Sequence, residues 1–226
     1  MKTKFKSLIA TTVVSVAALS GAGIAHAGAI ISAVSATIDA GGPGSGSIAD
    51  TYNQNGLFTT YTSGVTDFNT YIGSNPIHTL VFAGNEWFSN PASSSATVTY
   101  SLGSVVSIDR LALWNEDYSG IGTLNILGST DGVSFSTILS GLNPTDNAND
   151  VNYGAEVFAF GATAVQYVRL EMSNCPQIPQ GYDACAIGEV AFRQADGRVP
   201  EPAGVGLLGL GLLALTRVIR NRRKIA

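Results

Sequence analysis

The sequence predicts an all-β fold, a β-sandwich or jelly roll, for the middle of this chain. Seven short segments carry apolar residues at strand spacing, and glycine, asparagine, aspartate and proline separate them. No segment between the two ends repeats its apolar residues at helical spacing. Charged residues make up only 12% of the chain, fewer than helix surfaces use, which also favours strands joined by turns.

The strand pattern is clearest from residue 97 onward. In 97–102 every second residue is apolar, and threonine or serine lies between. The other candidate strands are 108–114, 123–127, 135–139, 156–160, 165–172 and 187–192. Asp131 and Gly132 indicate a tight hairpin, because glycine adopts a positive φ without steric cost. We expect Arg169 on the polar face of its strand, paired with a carboxylate.

The stretch 28–96 is less regular. Residues 41–47 are glycine and serine around one proline, which predicts a flexible loop. This loop lacks the Gly-Lys-Ser/Thr ending of a phosphate loop. Residues 53–71 are rich in threonine, asparagine, glycine and tyrosine, which predicts loops and edge strands.

Charge is segregated along the chain. The formal net charge is -4, but most basic residues lie at the two ends. In 28–200, four arginines against fifteen acidic residues give a net charge of -11, and there is no lysine. Nucleic acid is excluded as a partner, because binding phosphates requires concentrated positive charge. This composition suits a domain that binds neutral ligands or divalent cations.

Residues 1–27 have the layout of a secretion signal. A lysine-containing start precedes a mostly apolar run over 8–24, and Ala25 and Ala27 then form a small-x-small cleavage pattern. We expect a signal helix that is removed before Gly28. The alternative is an N-terminal membrane anchor.

Residues 197–226 combine three features at the other end. Pro200, Glu201 and Pro202 precede an uncharged run over 203–215, and a basic cluster follows. The run is interrupted by glycine and shorter than the about 20 residues of a comfortable membrane span. Positive charge after it predicts that this end stays in the cytoplasm.

These three parts together resemble the PEP-CTERM sorting signal of Gram-negative bacteria. The resemblance implies a short membrane helix that anchors the chain in the inner membrane before processing. It also implies recognition by an exosortase-type membrane protease, and a final location at the cell surface or in the extracellular matrix of a biofilm-forming host. The alternative is a plain C-terminal anchor.

Five motifs follow one another over 97–193. They are Ser101-Leu102-Gly103-Ser104, the strand 108–114, the hairpin 129–135, the strand 165–170 and the strand 187–192. Together they resemble discoidin domains, also called coagulation-factor type C domains, which are galactose-binding-like jelly rolls. The resemblance implies one such domain over 28–196.

The discoidin resemblance also implies a structural calcium ion. Glu189 matches the acidic residue on the closing strand that serves as one ligand. Earlier ligands would come from the region 50–67, where Asn53, Asn55 and Asp67 offer oxygen donors.

Cys175 and Cys185 are the only cysteines. In an exported chain they are expected to form a disulfide. A zinc site would lack further ligands, since the chain after the signal has one histidine, His78.

The candidate ligand-binding residues combine aromatic rings with planar polar groups. They are Trp114, Asn115, Glu116, Tyr118 and Trp87. Sugars bind by stacking on aromatic rings while their hydroxyls bond to polar groups, so this composition favours a carbohydrate ligand. The alternative is that the two tryptophans are core residues.

No catalytic residue is assigned, because the chain has neither a His-Glu-x-x-His nor a Gly-x-Ser-x-Gly motif. Glu86 and Glu116 would suit glycoside hydrolysis only if they lay about 5–10 Å apart. The leading hypothesis is an exported, non-catalytic surface or matrix protein that binds carbohydrate, with the exopolysaccharide of its host as the expected ligand. The alternatives are a structural matrix or adhesion protein acting through protein–protein contacts, and a glycan hydrolase.

Overall fold

The computed structural model describes residues 28–81, 84–177 and 182–196. The signal and sorting residues Ala25, Ala27, Pro200, Glu201 and Pro202 lie outside these ranges, as do the two terminal helices expected there. Within the described ranges, no helix is both long enough and apolar enough to cross a membrane.

Eleven strands and two short helical turns make up the described chain. The strands are β1 (Ile30–Ile31), β2 (Ser35–Ala40), β3 (Ser45–Gly46), β4 (Ile77–His78), β5 (Trp87–Phe88), β6 (Ser95–Asn115), β7 (Thr123–Ser129), β8 (Ser136–Leu142), β9 (Tyr153–Gly154), β10 (Glu156–Ser173) and β11 (Ala186–Gln194). A 3-10 helix spans Ile48–Thr51 and α1 spans Phe68–Gly73. The fold is an all-β sandwich, as predicted.

The long strands β6 and β10 connect the two layers of the sandwich. The first half of β6 pairs with β2 and with the last residues of β10, whereas its second half pairs with β11 and the first residues of β10. Register shifts between Ala159 and Thr163 and between Val165 and Tyr167 mark the bend in β10. Such bulges increase twist and bend a strand. One antiparallel ladder thereby covers the core from both sides.

Two hydrophobic cores result. The larger lies inside the sandwich and includes Tyr100, Ile126 and Phe192. The smaller lies on the other face of β11 and the second half of β6, where α1 and the loops around it bury Phe68 and Tyr71. Residues 186–193 of β11 are consequently all buried.

The strands predicted from 97 onward are confirmed, with two differences. The segments 97–102 and 108–114 are one continuous strand, as are 156–160 and 165–172, because bulges bend a strand without ending it. The expectation of loops and edge strands over 53–71 was wrong at α1. There Asp67 caps the helix by accepting the backbone N–H of Thr70 at 2.7 Å.

Candidate functional site

Trp87 and Trp114 are core residues, so their interpretation as sugar-stacking platforms was wrong. Both side chains are fully buried. The indole N–H of Trp87 donates to the carbonyl of Pro43 at 2.9 Å, and that of Trp114 donates to the carbonyl of Pro76 at 3.0 Å. A buried indole finds its polar partner inside the fold, and its ring faces then contact core side chains rather than a ligand at the surface.

Asn115 holds the loop that leaves β6. Its Oδ1 accepts the N–H of Ile121 at 2.8 Å, and its Nδ2 donates to the Thr145 carbonyl and to Oε1 of Gln177, both at 2.9 Å. The side chain is 2% exposed. Its polar atoms therefore organise the loop, and none of them is available to a ligand at the surface.

Glu116 has a similar role in the same loop. Its Oε2 accepts the backbone N–H of Tyr118 at 2.9 Å and also that of Ser119. The side chain is 1% exposed, whereas Tyr118 is half-buried at the edge of the loop. A ligand contact through Tyr118 stays a prediction.

Glu86, Glu116 and Asp117 form what we call the buried acidic cluster. Each is at most 2% exposed. Glu86 directly precedes β5, and the other two directly follow β6. Oε2 of Glu86 accepts the N–H of Asn85 at 2.9 Å, and Oδ1 of Asp117 accepts the N–H of Val81 at 3.0 Å. Each carboxylate keeps one oxygen without a hydrogen-bond partner within the described chain.

Burial raises the pKa of all three carboxyl groups in the cluster. It raises that of Glu86 to about 7, and the nearby carboxylate of Asp117 adds to the effect. Burial also raises the pKa of Glu116, against the opposing N–H of Ser119. For Asp117, burial raises the pKa, partly offset by nearby backbone N–H groups. The cluster therefore holds protons at a higher pH than ordinary carboxylates do.

His78 and Tyr153 stack next to this cluster, with ring centroids 5.0 Å apart. Nδ1 of His78 lies 2.9 Å from the carbonyl of Thr79, which only accepts, so Nδ1 carries the proton. The hydroxyl of Tyr153 is buried and has no partner within the described residues. Burial raises its pKa, and the charges of Glu116 and Glu86 raise it further.

The pair considered for glycoside hydrolysis, Glu86 and Glu116, is closed to a substrate in this structure. Both side chains are 1% exposed, so neither carboxyl contacts solvent. A general acid and its partner must reach the glycosidic oxygen and the anomeric carbon. These two groups do not.

Glu189 lies close to the loop predicted to supply calcium ligands. Its Oε2 accepts the N–H of Gln54 at 2.9 Å, and its Oε1 is buried without a hydrogen-bond partner among the described residues. The side-chain amides of Asn53 and Asn55 both donate to Oδ1 of Asp50, at 2.9 and 3.1 Å. Burial raises the pKa of Glu189, and the charge of Asp50 adds to it. The unpaired oxygen fits a calcium ligand, and calcium at this place stays a prediction.

Asp67 lies apart from Glu189. It caps α1, and hydrogen bonds from the Thr70 backbone and the charge of Arg193 lower its pKa. Asp67 thus lies near Arg193, and Arg193 is four residues beyond Glu189 on β11, about 13 Å along the strand. This places Asp67 at a distance from Glu189. Among the residues that the structure describes, no three His, Cys, Asp or Glu side chains are arranged to hold a metal ion.

A groove of about 380 Å³ lies on the outer face of the sheet and is called the sheet-face groove here. Strand register places side chains of β2, β6 and β10 in two rows, Thr37–Thr99–Arg169 and Ser35–Ser101–Tyr167. The rows are polar because alternate residues of each strand face away from the core. Gly132 (φ +75°) closes one side, where a Cβ would lie 3.2 Å from the Tyr167 ring.

Arg169 is the central side chain of the sheet-face groove. Its Nε donates to Oγ1 of Thr99 at 3.0 Å and lies 3.4 Å from Oδ2 of Asp39, which confirms the predicted pairing with a carboxylate. Its guanidinium carbon lies 3.8 Å from the ring centroid of Phe135. Neither Nη group has a hydrogen-bond partner within the described chain. The guanidinium is thus held on one edge while its outer N–H groups stay free.

A second hollow, of about 460 Å³, lies between the β7–β8 hairpin and the bend of β10. Serine and threonine hydroxyls line it together with Phe160, and no charged or amide side chain does. Carbohydrate sites need planar polar groups that receive several hydroxyls at once. The sheet-face groove has these groups and is therefore the better candidate.

Sequence reasoning did not assign Thr37, Asp39 or Tyr167 to a site. The alternation in 97–102 and 165–172 was a usable signal, since it places threonine, tyrosine and arginine on one polar face. What was missing was the position of β2, which lies beside β6 only in the folded sheet.

The predicted disulfide between Cys175 and Cys185 is present, with Cα atoms 4.9 Å apart. Both residues are buried. The bridge joins the end of β10 to the start of β11 and so keeps these two strand ends together.

No family model matches this chain, and no curated protein matches it. Among solved structures, it is similar to chitosan-binding module 1 of a chitosanase/glucanase from Paenibacillus sp. IK-5, with 18% identity, a TM-score of 0.44, and coverage of 74% of this chain and 98% of that one. It is also similar to the CBM32 of AlyQ in complex with 4,5-unsaturated mannuronic acid (17% identity, TM-score 0.44, 72% and 96% covered). A third is a pectin-binding carbohydrate-binding module (15% identity, TM-score 0.43, 76% and 96% covered). Likeness at this level carries no conclusion about the ligand of this chain.

Proposed function

We propose that this protein is an exported surface or matrix protein whose β-sandwich is a non-catalytic carbohydrate-binding domain, and that the glycan lies in the sheet-face groove. The observation that carries the proposal is Arg169. Thr99, Asp39 and Phe135 hold its guanidinium in place. Neither Nη group has a hydrogen-bond partner within the described chain.

The groove has the chemistry that a sugar chain needs. A guanidinium presents donors in a fixed fork that two neighbouring hydroxyls or one carboxylate accept together. The hydroxyls of Thr37 and Ser101 add weaker partners, and Tyr167 adds aromatic surface next to them. The groove is open and runs across three strands, so it suits an internal stretch of a polysaccharide rather than a buried monosaccharide.

Export and sorting are part of the same proposal. The signal over 1–27 and the Pro200-Glu201-Pro202 tail support passage through the inner membrane and processing by an exosortase-type protease. The domain then acts at the cell surface or in the biofilm matrix, on exopolysaccharide of the host. Mass spectrometry of the exported protein tests this: we expect a chain that begins at Gly28 and ends near Pro200. An exported protein that keeps both termini contradicts it.

A structural calcium ion is proposed at Glu189, following the discoidin resemblance. The buried Oε1 of Glu189, which has no hydrogen-bond partner in the described part of the chain, and the Asp50–Asn55 loop support it. When bound, the ion would neutralise Glu189 and hold this loop against β11. Coincident melting curves of the chain with calcium and with EDTA would remove the proposal.

Glycan binding is tested with the full chain against neutral, acidic and amino polysaccharides by affinity electrophoresis and calorimetry. For the polysaccharide that binds, we expect Arg169→Ala and Tyr167→Ala each to weaken affinity about tenfold, or about 1.4 kcal/mol. The matched control is Arg110→Ala, which removes an arginine that donates to Asn69 outside the groove and should leave affinity unchanged.

The outcomes separate the proposed function from its alternatives. Retained affinity in the groove variants would place the ligand elsewhere. Absence of binding to every polysaccharide, with self-association of the folded chain in analytical ultracentrifugation, would favour a structural matrix or adhesion protein. Shortening of the polysaccharide during incubation would indicate a hydrolase. Melting temperatures of all variants are measured in parallel. Loss of the partly exposed ion pair between Arg169 and Asp39 should lower the free energy of unfolding by about 1 kcal/mol or less.

A further inference from the structure

Gly28, the first residue after the expected signal cleavage site, lies inside the fold. It is buried, and its backbone is held on both sides. Its N–H donates to the carbonyl of Gln194 at 3.1 Å, and its carbonyl accepts the N–H of Phe68 at 2.8 Å. The chain continues into β1, where Ile30 lies opposite Arg193 of β11. The nitrogen that signal removal would free is therefore held in place against the end of β11.

Two carboxylates face Gly28. A Cβ at this position would lie 3.3 Å from Oδ2 of Asp67 and 3.5 Å from Oδ1 of Asp196. The nitrogen and the Cβ position of one residue are about 2.5 Å apart, so the Gly28 nitrogen lies within about 6 Å of both oxygens. Glycine leaves the space between them open, and its φ of +85° disfavours residues with a side chain.

The charged side chains at this end of β11 carry a net charge of -1. They are the carboxylates of Asp67, Asp109 and Asp196 and the guanidiniums of Arg110 and Arg193. Arg193 donates to Asp109 and to both oxygens of Asp196. Arg110 lies opposite Arg193 in the ladder and donates to Asn69 of α1. One further positive charge would balance the group.

Asp67 uses its two oxygens differently. Oδ1 accepts the N–H of Thr70 and caps α1, whereas Oδ2 is the oxygen next to Gly28. A helix cap needs only one side-chain acceptor, so Oδ2 can accept from a cation without disturbing the helix. Among the residues that the structure describes, neither Arg110 nor Arg193 forms an ion pair with Asp67.

We propose that Asp67 and Asp196 bind the α-ammonium group of Gly28, which exists only after the signal has been removed. In the uncut chain this nitrogen is a neutral amide with one hydrogen. Hydrolysis of the Ala27–Gly28 bond consumes one water, leaves the Ala27 carboxylate on the signal and gives the nitrogen three hydrogens and a positive charge. One hydrogen keeps the Gln194 carbonyl, and the others serve the two aspartates. Processing thus supplies the missing cation, and this inference rests on the export proposed above.

The ammonium should stabilise the processed domain in a pH-dependent way. Neighbouring carboxylates raise the pKa of an α-amino group above its ordinary range of about 7.7–8.0. A group whose pKa is raised on folding contributes stability below its unfolded pKa, and this contribution is lost as the pH rises through the folded pKa. Carboxylates and guanidiniums do not ordinarily titrate between pH 6 and 10, so the amine is the group of this site that changes charge there.

The test compares two forms of the chain 28–226, both released from a fusion by a protease that cuts directly before Gly28. Both carry Lys224→Arg, which leaves the Gly28 amine as the only primary amine. One form keeps this amine free, and the other is acetylated there, which removes the charge but keeps the N–H that Gln194 accepts. We expect the free form to melt about 3 °C higher at pH 6.5, and the difference to disappear by pH 10.

Substitution of the two carboxylates identifies the partners. Asparagine also caps helices well, so Asp67→Asn removes the charge and keeps the start of α1. Asp67→Asn should reduce the difference between the free and acetylated forms, and Asp67→Asn with Asp196→Asn should abolish it. Effects unrelated to the amine cancel, because each variant is compared in both forms. The matched control is Asp146→Asn, an exposed aspartate in the loop before β9, which should keep the full difference.

Labelling of the amine provides a readout that does not depend on stability. The rate at which an amine-specific reagent modifies Gly28, followed by mass spectrometry across pH, gives the pKa of the amine. We expect this pKa to be about one pH unit higher in the folded chain than in the same chain in urea. Equal pKa values, or equal melting temperatures of the free and acetylated forms, would overturn the proposal even if cleavage before Gly28 is confirmed. An exported chain that begins at another residue would overturn it through the proposed cleavage instead.

Discussion

Nδ1 of His78 lies 3.7 Å from Oε1 of Glu86, and both side chains are completely buried. They do not form an ion pair, because Nδ1 donates to the Thr79 carbonyl instead. Burial lowers the pKa of His78 to about 4 and raises that of Glu86 to about 7. Between these values both groups are neutral, which is how the fold tolerates them without a counter-charge.

Glu86 should make the protein less stable as the pH rises. Its pKa rises from 4.5 in the unfolded chain to about 7 in the folded one, so between these values only the folded state binds the proton. Stability then falls with increasing pH, by on the order of 3 kcal/mol for the whole window. The difference in unfolding free energy between Glu86→Gln and the wild type, from urea titrations, should grow in favour of the variant from pH 4.5 to 7.

The same titrations contain their own control. Below pH 4 Glu86 is protonated in both states, so its contribution to the slope should vanish there. His78 acts in the opposite direction, because its lowered pKa makes stability rise between about pH 4 and 6.5. A difference between variant and wild type that stays constant from pH 4.5 to 7 would contradict the raised pKa of Glu86.

Trp114→Ala should destabilise the protein strongly. The side chain is fully buried in the smaller core, and its removal leaves a cavity and an unpaired Pro76 carbonyl. We expect a loss of about 3–5 kcal/mol in equilibrium unfolding. Trp114→Phe keeps most of the volume and should cost less. Full stability of Trp114→Ala, with loss of glycan binding, would restore its interpretation as a ligand platform.

The disulfide should contribute measurably to stability. Cys175 and Cys185 are ten residues apart, and closing a loop of that size stabilises a fold by about 2–3 kcal/mol through the unfolded state. Guanidinium unfolding with and without reducing agent measures this. The variant Cys175→Ala with Cys185→Ala should match the reduced wild type and should not respond to reductant. Identical curves for oxidised and reduced wild type would mean that the bridge has no stabilising role.

Gly132→Ala should disturb the wall of the sheet-face groove. Gly132 has a φ of +75°, and an added Cβ would lie 3.2 Å from the Tyr167 ring. We expect a loss of about 1 kcal/mol or more in stability, together with weaker glycan binding. Gly73→Ala is the matched control, because a Cβ there meets no atom within 4 Å. Equal effects of the two substitutions would show that the turn conformation is not required.

Strand positions were readable because alternation follows directly from strand geometry. Over 97–102 and 167–172 every second residue faces the core, so these apolar and polar faces were assigned correctly. Val165 was wrongly assigned to the face of Arg169, because the bulge between Val165 and Tyr167 returns it to the core. The fusion of the predicted segments into two long strands was not predictable, since a bulge changes register without a distinctive residue. The helix α1 was also missed, because six residues are too few to show a helical period.

The candidate site was less predictable than the fold. An aromatic residue next to amides and carboxylates has the same composition in a sugar site and in a buried loop, and only burial separates them. Trp114, Asn115 and Glu116 proved to be buried. The sheet-face groove depends on β2 lying beside β6, a pairing of residues more than fifty positions apart.

Local chemistry and periodicity were sufficient to predict from sequence the strand-forming body, the disulfide and the pairing of Arg169 with a carboxylate. Each depends on neighbouring residues or on residue type alone, whereas the identity of that carboxylate, Asp39, depends on the position of β2. The tertiary structure decided which polar residues are buried and which are free, because that depends on the segments that pack over each strand. It covered the acidic residues at the end of β6 and left the guanidinium of Arg169 open on the sheet.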